Sequence, residues 1–151
     1  MAFQAPSLKG RALRLLSQRE HSRAELERKL APHEDEPGAL AGALDELQAR
    51  GFIDEGRVVQ SVLHQRAARL GAARVRQELQ TKGIGAEAIA EAVAGLQGSE
   101  LERAGALWQR RFGTPPADAK ERARQMRFLL SRGFSGDIAA RVLRGTGQGR
   151  G

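Results

Sequence analysis

The chain has 151 residues, of which 40% are hydrophobic and only 4% aromatic, and it carries a net charge of +7 and no cysteine. This length suits one ordinary domain with a modest aliphatic core, and the absence of thiols excludes disulfides and cysteine-based metal or nucleophilic chemistry. No stretch approaches the roughly 20 consecutive apolar residues of a membrane span, and the first residues lack the apolar run of a signal peptide. We therefore expect a cytoplasmic protein without a membrane segment, whose positive charge favours an anionic partner.

The charge alternates in sign along the chain instead of collecting in one basic tail. Residues 31–56 contain one basic and seven acidic groups, whereas residues 57–85 contain six basic groups and one acidic group. Residues 86–102 are again acidic, and residues 103–134 are again basic. Blocks that alternate in this way indicate a repeated structural unit with a basic part and an acidic part.

Apolar residues recur at intervals of three and four positions from the first predicted helix to the last, which is the pattern of amphipathic helices. The apolar stripes are Leu8, Ala12, Leu15 and Leu16; Leu40, Leu44 and Leu47; Ile89, Val93 and Leu96; Leu101, Ala104, Trp108 and Phe112; and Ala119, Ala123, Met126 and Leu130. Sustained alternation with a period of two, which would indicate strands, is missing. The sequence therefore predicts an all-α fold.

The predicted helices are bounded by residues that favour helix ends. Ser22 with Glu25, and Ser99 with Glu102, match the capping box, in which a serine and a glutamate three residues later each accept from the other's backbone amide. Glycine commonly follows the last turn of a helix. Helices are expected to end in this way at Gly51, Gly71, Gly83 and Gly133.

Three similar helices recur at intervals of about 50 residues. Their matching leucines are Leu26, Leu79 and Leu129. Two of them end in a basic residue, a glycine and an apolar residue, at 82–84 and 132–134. This recurrence predicts one domain over residues 1–145 that contains three units of three helices, followed by a disordered Gly-rich tail at 146–151. The units lie near residues 1–52, 53–98 and 99–145.

The sequence offers no convincing catalytic or metal-binding constellation. His21 and Ser22 are adjacent, but a nucleophile and its base need a third group to orient them, and Ser22 is better explained as a helix cap. The histidines at 21, 33 and 64 lack the spacing of a zinc-binding helix. Asp54 and Glu55 suit the N-terminus of a helix better than acid–base chemistry. We therefore expect no enzymatic activity, no catalytic residue, no metal and no cofactor.

Basic side chains are the better candidates for function, because a surface on which they cluster attracts phosphates or carboxylates. The candidates surround the turn at Gly71 and occupy a later helix. They are Arg66, Arg69, Arg74, Arg76 and Lys82, and then Arg124, Arg127 and Arg132. On the later helix Met126 and Leu130 are predicted to face inward, which leaves Arg124 and Arg127 on one flank. The competing interpretation is a solvated face with ion pairs inside helices, such as Glu25 with Lys29 and Glu78 with Lys82.

Four motifs follow one another over about residues 8–144. They are Arg19-Glu-His-Ser-Arg-Ala-Glu-Leu-Glu-Arg-Lys-Leu30; Gly51-Phe-Ile-Asp-Glu55 followed by Arg57 and Arg66; Gly71-Ala-Ala-Arg-Val-Arg-Gln-Glu-Leu79 with Lys82-Gly-Ile84; and Arg127-Phe-Leu-Leu-Ser-Arg-Gly-Phe134 with Asp137-Ile138. In this order they resemble the RecX family, bacterial regulators of the RecA recombinase. The chain departs from the family pattern at two positions, since the family often has proline where Ala72 stands and an aromatic residue where Val58 stands.

The resemblance implies tandem three-helix repeats in an elongated, curved all-α array. It also implies a monomer that lies in the helical groove of the RecA filament and contacts single-stranded DNA through that filament, with weak direct DNA binding. Such a protein inhibits filament extension, ATPase, strand exchange and coprotease activity, and so modulates recombinational repair and the SOS response. The alternative is a stand-alone transcription regulator, because the short turns at Gly83 and Gly133 resemble those of helix-turn-helix DNA-binding proteins.

Overall fold

Nine α-helices and one 3-10 turn make up the regular structure of the residues that the computed structural model describes, 6–67 and 69–148. The helices are α1 (Leu8–Gln18), α2 (Arg23–Leu30), α3 (Ala39–Ala49), α4 (Glu55–Arg66), α5 (Ala72–Thr81), α6 (Ala86–Gln97), α7 (Glu100–Arg111), α8 (Ala119–Ser131) and α9 (Gly136–Gln148), and the 3-10 turn is Ala31–His33. These two ranges contain no strand, and the predicted all-α fold is confirmed.

The helices pack in consecutive threes around three separate hydrophobic cores. Helices α1–α3 share one core, α4–α6 a second and α7–α9 a third, which confirms the three-unit repeat. Ile53 packs into the first core, so the first unit extends one residue beyond its predicted limit. At the other end of the chain α9 continues to Gln148, beyond the predicted start of the tail at 146, while residues 149–151 lie outside the described residues.

The arrangement exposes much more surface than one compact core would. The accessible surface is 9568 Å², whereas a compact monomer of this mass exposes about 7,500 Å². Three small cores in succession contribute to this larger surface, because each unit buries its apolar face mainly within itself. None of the helices in the described ranges is long and apolar enough to cross a membrane.

The helix caps follow the sequence prediction at one serine and depart from it at the other. Ser22 and Glu25 form the predicted capping box at the start of α2. Ser99 precedes α7, but its hydroxyl donates to the carbonyl of Leu96 at 3.2 Å and accepts from Arg103 at 3.0 Å, so it forms no cap. The capping box predicted there is wrong, because the backbone of Ser99, with φ −114° and ψ 5°, lacks the extended conformation of an N-cap.

Gly71 does not end a helix as predicted but begins one. Its backbone is extended, and it is the residue immediately before α5. A side chain at this position would collide with the backbone of Gly133, and its Cβ would lie 2.5 Å from the amide nitrogen of Phe134. Glycine is therefore required here by the close approach of the third unit. The other predicted helix-ending glycines at 51, 83 and 133 have positive φ, as that role demands.

Helix α8 turns a different face to the core than its apolar stripe predicts. Leu130 is 46% exposed, whereas its neighbour Leu129 is fully buried, so the prediction that Leu130 faces inward is wrong. Gln125 is also buried, and its side-chain oxygen accepts a 2.7 Å hydrogen bond from the indole of Trp108. A buried indole N–H needs an acceptor, and Gln125 supplies it from a core position that would otherwise hold an apolar side chain. This glutamine interrupts the apolar period along α8.

Candidate interaction surface

The middle helices of the three units, α2, α5 and α8, meet end to end. The first turn of α2 packs on the end of α5, where the Ser22 hydroxyl donates to the carbonyl of Lys82. The first turn of α5 packs on the end of α8 in the same way, with the Gly71 amide donating to the carbonyl of Arg132 at 2.6 Å. Each contact brings the negative end of one helix dipole to the positive end of another, which favours the arrangement. The three middle helices therefore follow one another in a row.

Glu25 is the charged centre of the junction between α2 and α5. Its carboxylate is 2.7 Å from Arg19 and 3.4 Å from Lys82, and it accepts a hydrogen bond from the Ser22 amide at 3.0 Å. Burial alone would raise the pKa of Glu25, but the hydrogen bonds from Arg19 and Ser22 and the charge of Lys82 outweigh it. The result is a pKa lowered to about 2. Glu25 is thus ionised and tied to the second unit.

His21 lies buried beside this junction and takes no part in a catalytic pair with Ser22. Its Nδ1 is 3.0 Å from the carbonyl of Arg19, and its Nε2 is 3.2 Å from the amine of Lys29. Burial lowers the pKa of His21, and the charges of Arg19 and Lys29 act in the same direction. A neutral ring that donates from Nδ1 and accepts at Nε2 satisfies both contacts.

The junction between α5 and α8 is held by a residue that the sequence did not single out. Arg103 of α7 donates to the carbonyls of Ala67 and Leu70 at 2.5 and 2.6 Å, and its guanidinium lies 5.8 Å from the ring centre of Phe134. Glu100 accepts from the amide of Ala72 at 2.6 Å. These bonds link α7 to the turn between α4 and α5. No local sequence pattern reveals this role, since the acceptors are backbone carbonyls more than 30 positions away.

A basic depression of about 430 Å³ opens between α2, α4 and α5, at the α2–α5 junction. Its lining contains four cations and two carboxylates: Arg28, Arg66, Arg74 and Lys82 with Glu25 and Glu78, and also Gln77 and Thr81. Arg66 lies 3.2 Å from Glu78, and Lys82 lies 3.4 Å from Glu25. In the described part of the chain neither Arg28 nor Arg74 lies within ion-pair distance of a carboxylate, so these two are the available cations.

The structure brings three of the predicted residues together in this depression, namely Arg66, Arg74 and Lys82. The carboxylates Glu25 and Glu78 pair with residues outside their own helices, not with the predicted partners Lys29 and Lys82 on the same helix. Arg28, which is not among the residues predicted from the sequence, completes the set of four cations in the lining. Arg28 is exposed on α2, and the packing of α5 against α2 brings it close to the cations of the second unit.

The remaining predicted residues lie elsewhere. Arg76 lines a separate hollow on α5 and α6 with Ile84 and Ile89. Arg69 is exposed in the turn before α5, and Arg127 is exposed on α8. Arg74 bridges the junctions, because its guanidinium also donates to the carbonyl of Ser131 at 3.3 Å.

Arg124 and Arg132 belong to a second cationic site on the third unit, the arginine–phenylalanine cluster. It consists of Arg111, Phe112, Arg124, Phe128 and Arg132. The two rings pack edge to face with centres 5.3 Å apart. Arg124 lies 5.3 Å from the centre of Phe112, Arg132 lies 5.1 Å from that of Phe128, and Arg111 lies 5.5 and 5.6 Å from the two centres. Arg111 was missed from sequence, although its place beside Phe112 was a usable signal.

In the part of the chain that the structure describes, no group of three or more histidine, aspartate and glutamate side chains is placed to hold a metal ion. The basic depression combines cations from the first and second units, and the carboxylates Glu25 and Glu78 hold two of them, Lys82 and Arg66, in place. Such a surface binds anions through charge and hydrogen bonds.

Comparison with known proteins places the chain in a family. Three family models match it in succession, described as the first, second and third three-helix domains of RecX, over residues 9–47, 54–93 and 99–143. Each matched range lies within one of the three structural units.

Close relatives match over nearly the whole chain. The regulatory protein RecX of Leptothrix cholodnii is 61% identical over 146 residues, which cover 95% of this chain and 93% of the relative. The regulatory protein RecX of Ralstonia nicotianae is 51% identical over 142 residues, which cover 94% of this chain and 89% of the relative. A crystal structure of RecX from Lactobacillus salivarius shares the fold with a TM-score of 0.77 at 19% identity, covering 93% of this chain and 95% of that one. The chain belongs to the RecX family of regulatory proteins.

Proposed function

We propose that this protein is a cytoplasmic regulator that binds the RecA–single-stranded DNA filament as a monomer. It inhibits filament extension, and with it the ATPase, strand-exchange and coprotease activities, and so modulates recombinational repair and the SOS response. It acts by binding and carries out no chemistry of its own. Membership of the RecX family supports this function, and the basic depression between α2, α4 and α5 indicates which face of the protein is involved.

The single observation that carries the proposal is the continuity of the basic surface across unit boundaries. Arg28 comes from the first unit and Lys82 from the second, and both line the same depression. Arg74 lines it as well and also contacts the end of α8 in the third unit. A filament presents the same anionic groups at regular intervals, so contacts on successive units add as a multivalent interaction.

The test is the ATPase rate of RecA on single-stranded DNA with substoichiometric amounts of this protein. A regulator that blocks filament extension lowers the ATPase rate even when far fewer than one copy of it is present per RecA monomer. Raising the salt concentration relieves the inhibition. Unchanged ATPase activity at low salt contradicts the proposal.

The alternative is a sequence-specific helix-turn-helix protein with a turn at Gly83 or Gly133. The composition of α6 weighs against the first of these turns, whereas α9, after Gly133, carries Arg141 and Arg144 against Asp137. After the short turn at Gly83, α6 stands in the position of a recognition helix. Its only charged residues are Glu87 and Glu91, which would face the phosphates of a DNA groove. A discrete footprint on duplex DNA in the absence of RecA would favour this alternative over a filament regulator.

A further inference from the structure

The arginines of the arginine–phenylalanine cluster contact aromatic rings more than carboxylates. In the described ranges, Arg111 and Arg132 have no carboxylate within 4.0 Å, whereas Arg124 pairs with Glu121 at 2.8 Å. All three arginines are exposed. A guanidinium stacked on a ring uses one face for that contact and keeps the N–H groups along its edge free. The cluster therefore presents oriented donors whose charge is neutralised at only one of the three positions.

We propose that this cluster is a direct binding site for single-stranded DNA, in which the guanidinium edges hold phosphates and the flat surfaces stack on unpaired bases. The inference rests on the proposed function and deepens it, because it names the residues that contact DNA and not RecA. Single-stranded DNA offers phosphates next to flat, unstacked bases. The cluster offers charged, flat guanidinium groups, held in place by phenyl rings that pack on the third core. An acidic protein segment would satisfy only the charges.

Duplex DNA fits the cluster less well than single-stranded DNA, since its bases are stacked inside the helix and cannot stack on the exposed guanidinium groups. We expect the full-length protein, without RecA, to bind a labelled oligo(dT) more tightly than a duplex of equal length at the same salt concentration. Fluorescence anisotropy measures both affinities. Equal or tighter binding of the duplex by the unmodified protein overturns the proposal.

The double substitution R111Q/R132Q tests the phosphate contacts. We expect the affinity for oligo(dT) to fall roughly tenfold, and the slope of log K against log salt to become shallower by about 1.4, since each lost contact with a single-strand phosphate removes about 0.7. The matched control R11Q/R14Q removes the same charge from α1 in the first unit, and we expect it to leave the slope unchanged. An unchanged slope in R111Q/R132Q, or an equal change in the control, overturns the proposal.

A second variant guards against a loss of folding. R111K/R132K keeps both charges but removes the planar groups, so we expect it to retain most of the salt dependence and to lose the preference for single-stranded DNA. Thermal unfolding of every variant establishes that it is folded. If an unlabelled poly-glutamate displaces oligo(dT) from the unmodified protein better than unlabelled oligo(dT) does, the site is one for acidic protein and the proposal is overturned.

The measurements separate this inference from the proposed function. If the unmodified protein inhibits the RecA ATPase but R111Q/R132Q binds oligo(dT) normally, only the proposed DNA site is overturned. If the protein binds oligo(dT) through the cluster but leaves the RecA ATPase unchanged, only the proposed function is overturned.

Discussion

The hydroxyl of Ser22, at the start of α2, donates a hydrogen bond to the carbonyl oxygen of Lys82, at the end of α5. The same oxygen of Ser22 accepts from the amide of Glu25 at 3.1 Å. The carbonyl of Lys82 follows the last turn of its helix, where carbonyls lack partners within the helix. One hydroxyl therefore begins a helix in the first unit and satisfies the end of a helix in the second.

This double role predicts that Ser22→Ala is more costly than the loss of an ordinary helix cap. We expect the free energy of unfolding to fall by about 2 kcal/mol, roughly 1 for the cap and 1 for the bond between units. The control is Ser135→Ala, since Ser135 accepts from the amide of Ile138 at 3.1 Å at the start of α9 and is exposed. Urea unfolding followed by circular dichroism measures both, and equal costs would contradict the role of Ser22 between the units.

The approach of Gly71 to Gly133 predicts a steric requirement at the second junction. A methyl group at position 71 would overlap the backbone of the third unit, which cannot yield as a flexible side chain could. We expect Gly71→Ala to lower the free energy of unfolding by about 3 kcal/mol. Gly95→Ala in α6 is the control, because a side chain there meets no atom within 4 Å and alanine favours the helix by about 0.5–1 kcal/mol. A Gly71→Ala protein as stable as the unmodified one would show that the units can separate at no cost.

The units and most helix faces could be predicted from sequence because each core is built from residues close together in the chain. Hydrophobic periodicity at 3.6 residues indicates which side chains are buried within a unit, and it locates Leu40, Leu44 and Leu47 correctly. It fails on α8, where Gln125 replaces an apolar residue in order to serve Trp108. A polar core position carries no periodic signal of its own.

The junctions could not be predicted, since their bonds join residues that are far apart in the chain and use backbone atoms of any residue type. Ala72 is an example. Alanine stands here where the sequence pattern of the family often has proline, and alanine keeps the backbone N–H that proline lacks. This N–H donates to the carboxylate of Glu100 in the third unit at 2.6 Å. The basic residues were visible in the sequence, but only the packing of α5 against α2 and α8 shows that Arg28 joins Arg74 and that Arg76 lies apart.

The ionised Glu25 predicts a specific loss of stability in acid. Its pKa is about 2 in the folded protein and near 4.5 when unperturbed. Because the folded pKa is the lower one, its contribution is complete above pH 4.5 and disappears as the pH falls toward 2. The shift corresponds to a contribution on the order of 3 kcal/mol at neutral pH.

We therefore expect Glu25→Gln to be less stable than the unmodified protein at pH 7 and to approach its stability near pH 2. The free energy of unfolding measured across this range checks the convergence. Glu27→Gln is the control on the same helix, because Glu27 is about half exposed in its ion pair with Arg23 and such pairs contribute at most about 1 kcal/mol. A stability difference for Glu25→Gln that stays constant from pH 7 to pH 2 would contradict the ionised junction.

The two available cations of the basic depression predict the strongest effect on RecA. We expect R28E/R74E to raise the concentration needed for half-maximal inhibition of the RecA ATPase by roughly tenfold or more, because reversing two charges replaces attraction to the filament by repulsion. The dependence of inhibition on salt should become weaker at the same time. ATPase titrations at two salt concentrations measure both effects, and circular dichroism checks that the helical content is kept.

The control for this experiment must change the net charge equally without touching the row of middle helices. R11E/R14E does so on α1, and we expect it to shift the inhibitory concentration by much less than R28E/R74E. R76E separates the two sides of α5, since Arg76 faces a hollow lined by Ile84 and Ile89 on the side of α6. If R28E/R74E inhibits as well as the unmodified protein while R76E does not, the filament contacts that side of α5. The basic depression would then serve only to join the first unit to the second.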